Sequence, residues 1–192
     1  MKGSLRGHYP VFERSTFPGA LHIAGFTLIE LLVTIAIAAI FLTLAVPSFT
    51  SMVMNNRLTA ATDGLTAALN YARNTALSGA ITVEVCPIGT LNSTTCGTSW
   101  ASGWIVVSNP SGTPTLLQSR QTVAGGPVLS SSAASILFDP RGLSTTTASF
   151  KVCDSRGAAY ARSVQIPFVT GLVQVGTTPG QVAYGTTALT CP

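Results

Sequence analysis

Charge is scarce in this sequence, and histidine is scarcer still. Only 8% of the 192 residues are charged, against roughly 25% in a typical soluble domain. Both histidines, His8 and His22, precede Gly25, and beyond Glu30 only four widely spread acids remain: Asp63, Glu84, Asp139 and Asp154. The parts of a serine triad, a histidine-ligated metal site or a paired-carboxylate glycosidase are therefore missing. We predict that the protein is not an enzyme and that it uses no cofactor and no metal.

The charge that is present is only mildly basic once the first residues are set aside. After Gly25 the chain has five acids, and its basic residues are Arg57, Arg73, Arg120, Arg141, Lys151, Arg156 and Arg162. An excess of two positive charges is too small to indicate binding to nucleic acid or to anionic lipid by itself.

Four cysteines are present, and none of them forms a Cys-x-x-Cys pair. Their even number, downstream of a long apolar run, favours disulfides formed in an oxidising compartment. Three pairings are possible, and free buried thiols are the alternative. We favour one bond between Cys86 and Cys96, which closes a short loop, and one between Cys153 and Cys191, which ties down the C-terminus.

One apolar run dominates the N-terminal part of the chain. From Phe26 to Val46 the only charged residue is Glu30. As a helix this run is about 31 Å long, which matches the thickness of a bilayer core. A cleaved secretory signal peptide is usually shorter, and a plain membrane anchor does not explain a carboxylate whose insertion costs about 2.5–3.5 kcal/mol. Glu30 therefore needs a functional explanation.

The stretch GFTLIE, Gly25–Glu30, resembles the cleavage motif of type IV prepilins and type II secretion pseudopilins. The resemblance implies that residues 1–25 are a leader, that prepilin peptidase cuts between Gly25 and Phe26, and that Phe26 becomes N-methylated. It further implies an inner-membrane protein with a periplasmic head. In that family the equivalent of Glu30 pairs with the new N-terminal amine of a neighbouring subunit. Pro47 is expected to interrupt helical hydrogen bonding, and so to bend or locally melt the helix.

The remaining sequence predicts an α+β fold, in which a long N-terminal helix packs on an antiparallel sheet. Apolar residues continue at helical spacing from Met54 to Ala76, with Thr62 assigned to a polar face and a stop at Ser78-Gly79. We divide the mature chain into a transmembrane half-helix (26–46), an amphipathic half-helix (47–79) and a β-rich head (80–192). Predicted strands are 81–86, 103–108, 115–119, 135–138, 148–153, 162–168, 171–175 and 181–184, with a mobile loop at 122–134.

Several stretches narrow the resemblance to the GspH/FimT family of minor pilins and pseudopilins. They are NYARNTAL, VEVCP, GWIVV, ILFDPRGL, FKVCDSRG and ARSVQIPFVTGLVQV, in that order. The resemblance implies a structural subunit that primes or caps a type IV pilus or a type II secretion pseudopilus, with other pilins as its partners. The alternative is a DNA-binding minor pilin for natural transformation. Some relatives use a Gly-Arg-x-Arg stretch for this, but the matching residues 171–174 are Gly-Leu-Val-Gln, so we expect no DNA binding.

Two short features receive structural rather than functional interpretations. Asp139–Gly142 and Asp154–Gly157 share an Asp-x-Arg-Gly pattern, which predicts tight turns in which the aspartate bonds the backbone. A calcium site is the alternative, but oxygen ligands are too few. Trp100 and Trp104 are predicted to pack in the core.

Overall fold

The structure, a computed structural model, describes residues 25–90, 92–108, 112–167 and 170–192. The predicted leader lies outside the described residues except for Gly25. One long helix, α1 (Leu28–Gly79), begins the described chain, and eight strands follow it. The chain divides into two units, one ending at Leu44 and the other spanning Ala45–Pro192. The second unit, which we call the head, contains the last part of α1 and all of the strands.

Helix α1 changes character along its length, as its sequence predicts. Its N-terminal part is exposed throughout, and the residues that it buries all lie in the C-terminal part: Leu58, Thr62, Leu65, Ala68, Leu69, Ala72 and Ala76. Their spacing of three and four forms one stripe facing the core. Placing Thr62 on a polar face was wrong, because its hydroxyl donates a 2.8 Å hydrogen bond to the Leu58 carbonyl and can therefore be buried.

The helix ends one residue later than its glycine suggests. Gly79 is still helical, and Ala80 adopts the left-handed conformation with φ of 48°. The Ile81 N–H then donates to the Ala76 carbonyl at 3.2 Å, which is the six-to-one bond of a Schellman motif. An alanine thus occupies the position where glycine is usual.

The strands form two antiparallel four-stranded sheets rather than the one sheet that the sequence predicted. The first has the order β3-β2-β1-β5 and the second the order β4-β6-β7-β8. The strands are β1 (Val83–Pro87), β2 (Gly103–Ser108), β3 (Thr115–Gln121), β4 (Val128–Ser131), β5 (Ile136–Phe138), β6 (Ala148–Cys153), β7 (Arg162–Ile166) and β8 (Gln174–Val175).

Two strand predictions were wrong. In both segments the structure depends on whether a distant segment pairs with them. Residues 128–131 form β4 inside the segment predicted as a mobile loop, because they pair with residues 150–153 of β6. Residues 181–184 do not form a strand, since only an isolated bridge joins Gln181 to Ala188.

One apolar core joins the helix to both sheets. The buried stripe of α1 clusters with Val83, Val106 and Phe138 from the first sheet, and with Phe150 and Val164 from the second. Trp100 and Trp104 are 5% and 3% exposed and belong to the same cluster, which confirms their predicted role. The Trp100 ring meets the Phe150 ring edge-on, and its Nε1 donates to the Ala133 carbonyl at 2.8 Å.

Candidate functional site

Thr27 accepts the first hydrogen bonds at the start of α1. Its carbonyl accepts a hydrogen bond from the Leu31 N–H at 3.1 Å, and its Oγ1 accepts one from the Glu30 N–H at 3.2 Å. Thr27 is therefore the N-cap, and Glu30 lies in the first turn, where the helix dipole favours a negative charge. The Thr-x-x-Glu spacing is a known helix-start signature. The sequence alone indicated a processing and docking motif here, and the capping role of Thr27 was missed.

In the apolar part of α1, every polar side chain except one forms a hydrogen bond within the helix. In Leu28–Leu44 the polar residues are Glu30, Thr34 and Thr43. The Thr34 hydroxyl donates to the Leu31 carbonyl at 2.8 Å, and the Thr43 hydroxyl donates to the Ile40 carbonyl at 2.7 Å. Such bonds within the helix satisfy the hydroxyls where water is absent. Across the described residues, the Glu30 carboxylate has neither an ion-pair partner nor a side-chain hydrogen bond.

This part of α1 has the length and composition of a membrane span. An 18-residue window has a mean hydropathy of 2.6, and none of it is buried. Phe26, just before α1, and Leu28, its first residue, are 80% and 81% exposed. Apolar exposure on this scale indicates contact with lipid or with other subunits.

Pro47 lies inside α1, and the helix is continuous through it. Of the two effects predicted, local melting is therefore not observed, while a bend stays a prediction. A helix tolerates proline when neighbouring groups compensate for the lost N–H. The Thr50 hydroxyl donates to the Pro47 carbonyl at 2.9 Å, but the bond lost at the proline is the one to the Thr43 carbonyl, one turn earlier.

Two disulfides close the head as predicted. Cys86 bonds to Cys96, ten residues away, and Cys153 bonds to Cys191, 38 residues away. The first holds the loop after β1, where Ile88 also bridges to Cys96. The second fixes the C-terminal segment to β6, beside the buried residues Ala161 and Leu189.

Both Asp-x-Arg-Gly stretches are tight turns, as predicted. In the first, Asp139 Oδ1 accepts hydrogen bonds from the N–H groups of Arg141 and Leu143, at 2.8 and 2.9 Å. In the second, Asp154 Oδ1 accepts one from the Arg156 N–H at 2.9 Å. The glycines, Gly142 and Gly157, have φ of 69° and 90°, which a side chain would disfavour.

The two turns differ in burial. The Arg156–Asp154 ion pair, at 2.6 Å, is nearly buried, whereas the Arg141 side chain in the other pair is 80% exposed. Burial raises the pKa of Asp154, but hydrogen bonds and charge from Arg156 outweigh it, so the pKa lies below its ordinary value. Arg156 also stacks on the Tyr160 ring and donates to the Ser51 carbonyl of α1. The second turn therefore fastens β6 to the helix.

Three of the basic side chains in the described head are engaged within the chain, and the stretch that some relatives use for DNA binding contains no basic residue. Arg141 and Arg156 are neutralised by their own turns, and Lys151 donates to the Thr190 hydroxyl. Residues 171–174 supply no cation, and Gln174 donates to the Tyr184 hydroxyl instead. Phosphate binding depends on several free lysine or arginine side chains. The DNA-binding alternative is not supported.

Comparison with protein families agrees with this geometry. A model described as the prokaryotic N-terminal methylation motif matches residues 22–46. A model described as type II transport protein GspH matches residues 61–168, which is more than half of the chain. The chain belongs to the GspH family. No curated protein sequence matches it.

The fold of this GspH-family chain is shared by the type IV minor pilin FimU of Pseudomonas aeruginosa, in two crystal forms. One has a TM-score of 0.52 at 21% identity, covering 67% of this chain and 96% of FimU. The other has a TM-score of 0.51 at 20% identity, covering 66% of this chain and 100% of FimU. At this identity the likeness establishes the fold alone: an apolar N-terminal helix packed on antiparallel sheets.

The GspH-family chain is a structural subunit of a type IV pilus or a type II secretion pseudopilus. Its N-terminal apolar helix anchors it in a membrane, and membership of a family that carries the methylation motif implies peptidase processing and assembly with other pilins. The part of the chain that these findings single out is therefore the N-terminal apolar helix with the methylation motif at its start.

Proposed function

We propose that prepilin peptidase cuts this chain between Gly25 and Phe26 and that Phe26 is then N-methylated. The mature chain enters the filament when Glu30 pairs with the N-terminal amine of a neighbouring subunit. The observation that carries the proposal is the isolation of Glu30. It is the one polar side chain of Leu28–Leu44 that has no hydrogen bond within the helix, among the residues described.

The unpaired Glu30 carboxylate matters because its surroundings are apolar. A carboxylate in an apolar setting costs free energy until an opposite charge approaches it. Cleavage creates such a charge, because Phe26 then has a free amine that stays basic after one methylation. Glu30 is held in the first helical turn by the Thr27 cap, so its position relative to the new terminus is fixed. The pairing therefore favours one axial register between subunits.

We place the anchor in the inner membrane and the head in the periplasm. The two disulfides support this orientation, because such bonds persist in oxidising compartments and are rare in the cytosol. The same orientation leaves the Gly25–Phe26 bond on the cytoplasmic side, where the peptidase of this family acts. We further propose that the subunit is of low copy number and primes or caps the filament.

The substitution Glu30→Ala tests the docking step. The variant should be cleaved at Gly25 like the wild type, because the scissile bond is unchanged, but it should be depleted from sheared filaments while it accumulates in the membrane. Thr34→Ala is the matched control, since it removes a polar group that is already satisfied within the same segment. Equal amounts of the Glu30→Ala variant and the wild type in filaments would contradict the proposal.

A further inference from the structure

Arg120 is an exposed cation that lies in a defined place without an acidic partner. β3 sets it directly opposite Trp104 of β2, and its guanidinium carbon is 5.5 Å from the centre of the indole ring. This distance is typical of a cation–π contact. In the part of the chain that the structure describes, Arg120 forms no ion pair.

Helix α1 has a glycine, Gly64, where it faces the Arg120 side chain. Gly64 lies within α1, where glycine is destabilising relative to alanine. A Cβ added at Gly64 would overlap the Arg120 guanidinium. The absence of a side chain at Gly64 therefore allows the guanidinium to lie between Trp104 and the helix, which restricts its conformations before any ligand arrives.

A cavity of about 270 Å³ opens beside this cation. Its walls include Arg57, Ala60, Ala61, Trp104, Arg120 and Val123, and none of the described residues that line it is acidic. Val123 is 80% exposed at the edge of this cavity. We call this site the Arg120 pocket. It combines the Arg120 guanidinium and a second arginine residue with largely apolar walls, so its chemistry suits one carboxylate on a partly apolar protein surface.

We propose that the Arg120 pocket binds an acidic side chain of a neighbouring pilin subunit in the filament. The proposal rests on the assembly function given above, which supplies that neighbour. Arginine donates two parallel hydrogen bonds to a carboxylate, and restricting the arginine side chain beforehand lowers the entropy lost on binding. DNA is disfavoured, because phosphate backbones require several cations along a track and this pocket offers two.

Carbodiimide coupling tests the contact directly, because it joins an amine only to a carboxylate that touches it. Filaments that contain the full-length Arg120→Lys variant should yield an amide between position 120 and an acidic residue of another pilin, identified by peptide mass spectrometry. Arg141→Lys is the matched control and should couple only to its own Asp139. Absence of an intermolecular amide at position 120 would overturn the proposal.

Incorporation provides a second measurement that does not depend on coupling. Arg120→Gln should lower the amount of the chain in sheared filaments by about tenfold, the scale of one lost charge-assisted hydrogen bond. Gly64→Ala should act in the same direction, because it displaces the guanidinium while improving helix propensity. Arg141→Gln should leave the amount unchanged.

The outcomes separate this proposal from the assembly function. If the wild type is in filaments but Arg120→Gln enters equally well, only the Arg120 pocket proposal fails. If the wild type itself is absent from filaments, the assembly function fails and the proposed partner with it. If filaments retain DNA and lose it only in Arg120→Gln, the pocket serves phosphate, and the proposal of a protein carboxylate is overturned.

Discussion

Asp154 and Arg156 show how single residues hold this head together. Their ion pair is nearly buried, and Arg156 adds contacts to Tyr160 and to the Ser51 carbonyl of α1. A buried charge that loses its partner is costly. The exposed pair of Asp139 and Arg141 has the same sequence pattern without this burial, so it is a natural comparison.

We expect Asp154→Asn to lower the free energy of unfolding of the head by about 2 kcal/mol, the scale of hydrogen bonds to a charged group. The asparagine keeps the turn but leaves Arg156 without its counter-charge. Since the pKa of Asp154 is lowered in the folded chain, its contribution is complete above the ordinary value of 3.8 and is lost as the pH falls through the lowered pKa. Variant and wild type should therefore converge in acid.

Thermal unfolding of the full-length chain in detergent, followed by tryptophan fluorescence at several pH values, measures this difference. Asp139→Asn is the control and should have a smaller effect at neutral pH. A difference for Asp154→Asn that persists unchanged at pH 3 would contradict the role given to its charge.

At the scale of elements, the residue that follows α1 is not the one that would stabilise the helix end most. Ala80 has φ of 48°, a conformation unfavourable for alanine, and it is exposed. Ala80→Gly should therefore stabilise the head by about 0.5–1 kcal/mol. Ala67→Gly, at an exposed position inside α1, should destabilise it by about 1 kcal/mol. Both are read from the unfolding midpoint, and a loss of stability in Ala80→Gly would refute the assigned helix end.

The two disulfides should contribute unequally because they close loops of different length. The bond from Cys153 closes a segment of 38 residues and that from Cys86 a segment of ten. Loop entropy predicts about 4 and about 3 kcal/mol, respectively. The double substitution Cys153→Ser with Cys191→Ser should thus lower the unfolding midpoint more than Cys86→Ser with Cys96→Ser. The reverse order would show that loop entropy does not decide their contributions.

The elements that the sequence predicted well are those with a strong local pattern. Residues 103–108 and 148–153 have the predicted bounds as β2 and β6, and the buried stripe of α1 follows its apolar spacing. β4 was missed because only Leu129 of its four residues is buried, so its existence depends on pairing with β6. The division into two sheets likewise depends on contacts between distant residues.

At the scale of the whole molecule, the function follows from two groups that have no partner within the described chain: the exposed apolar part of α1 and the Glu30 carboxylate. The head buries its core and closes its cysteines, whereas the apolar part of α1 is uncovered and Glu30 has no partner in the described chain. The motif around Gly25 could be interpreted from the sequence because it is contiguous. The Arg120 pocket could not, since Gly64, Trp104 and Arg120 come together only through folding.

The most direct test of this account is the mass of the N-terminal peptide of the chain recovered from sheared filaments or pseudopili. We predict a peptide that begins at Phe26 and carries one methyl group on its amine. Recovery of chain that still contains residues before Phe26, or that begins at another residue, would contradict the account.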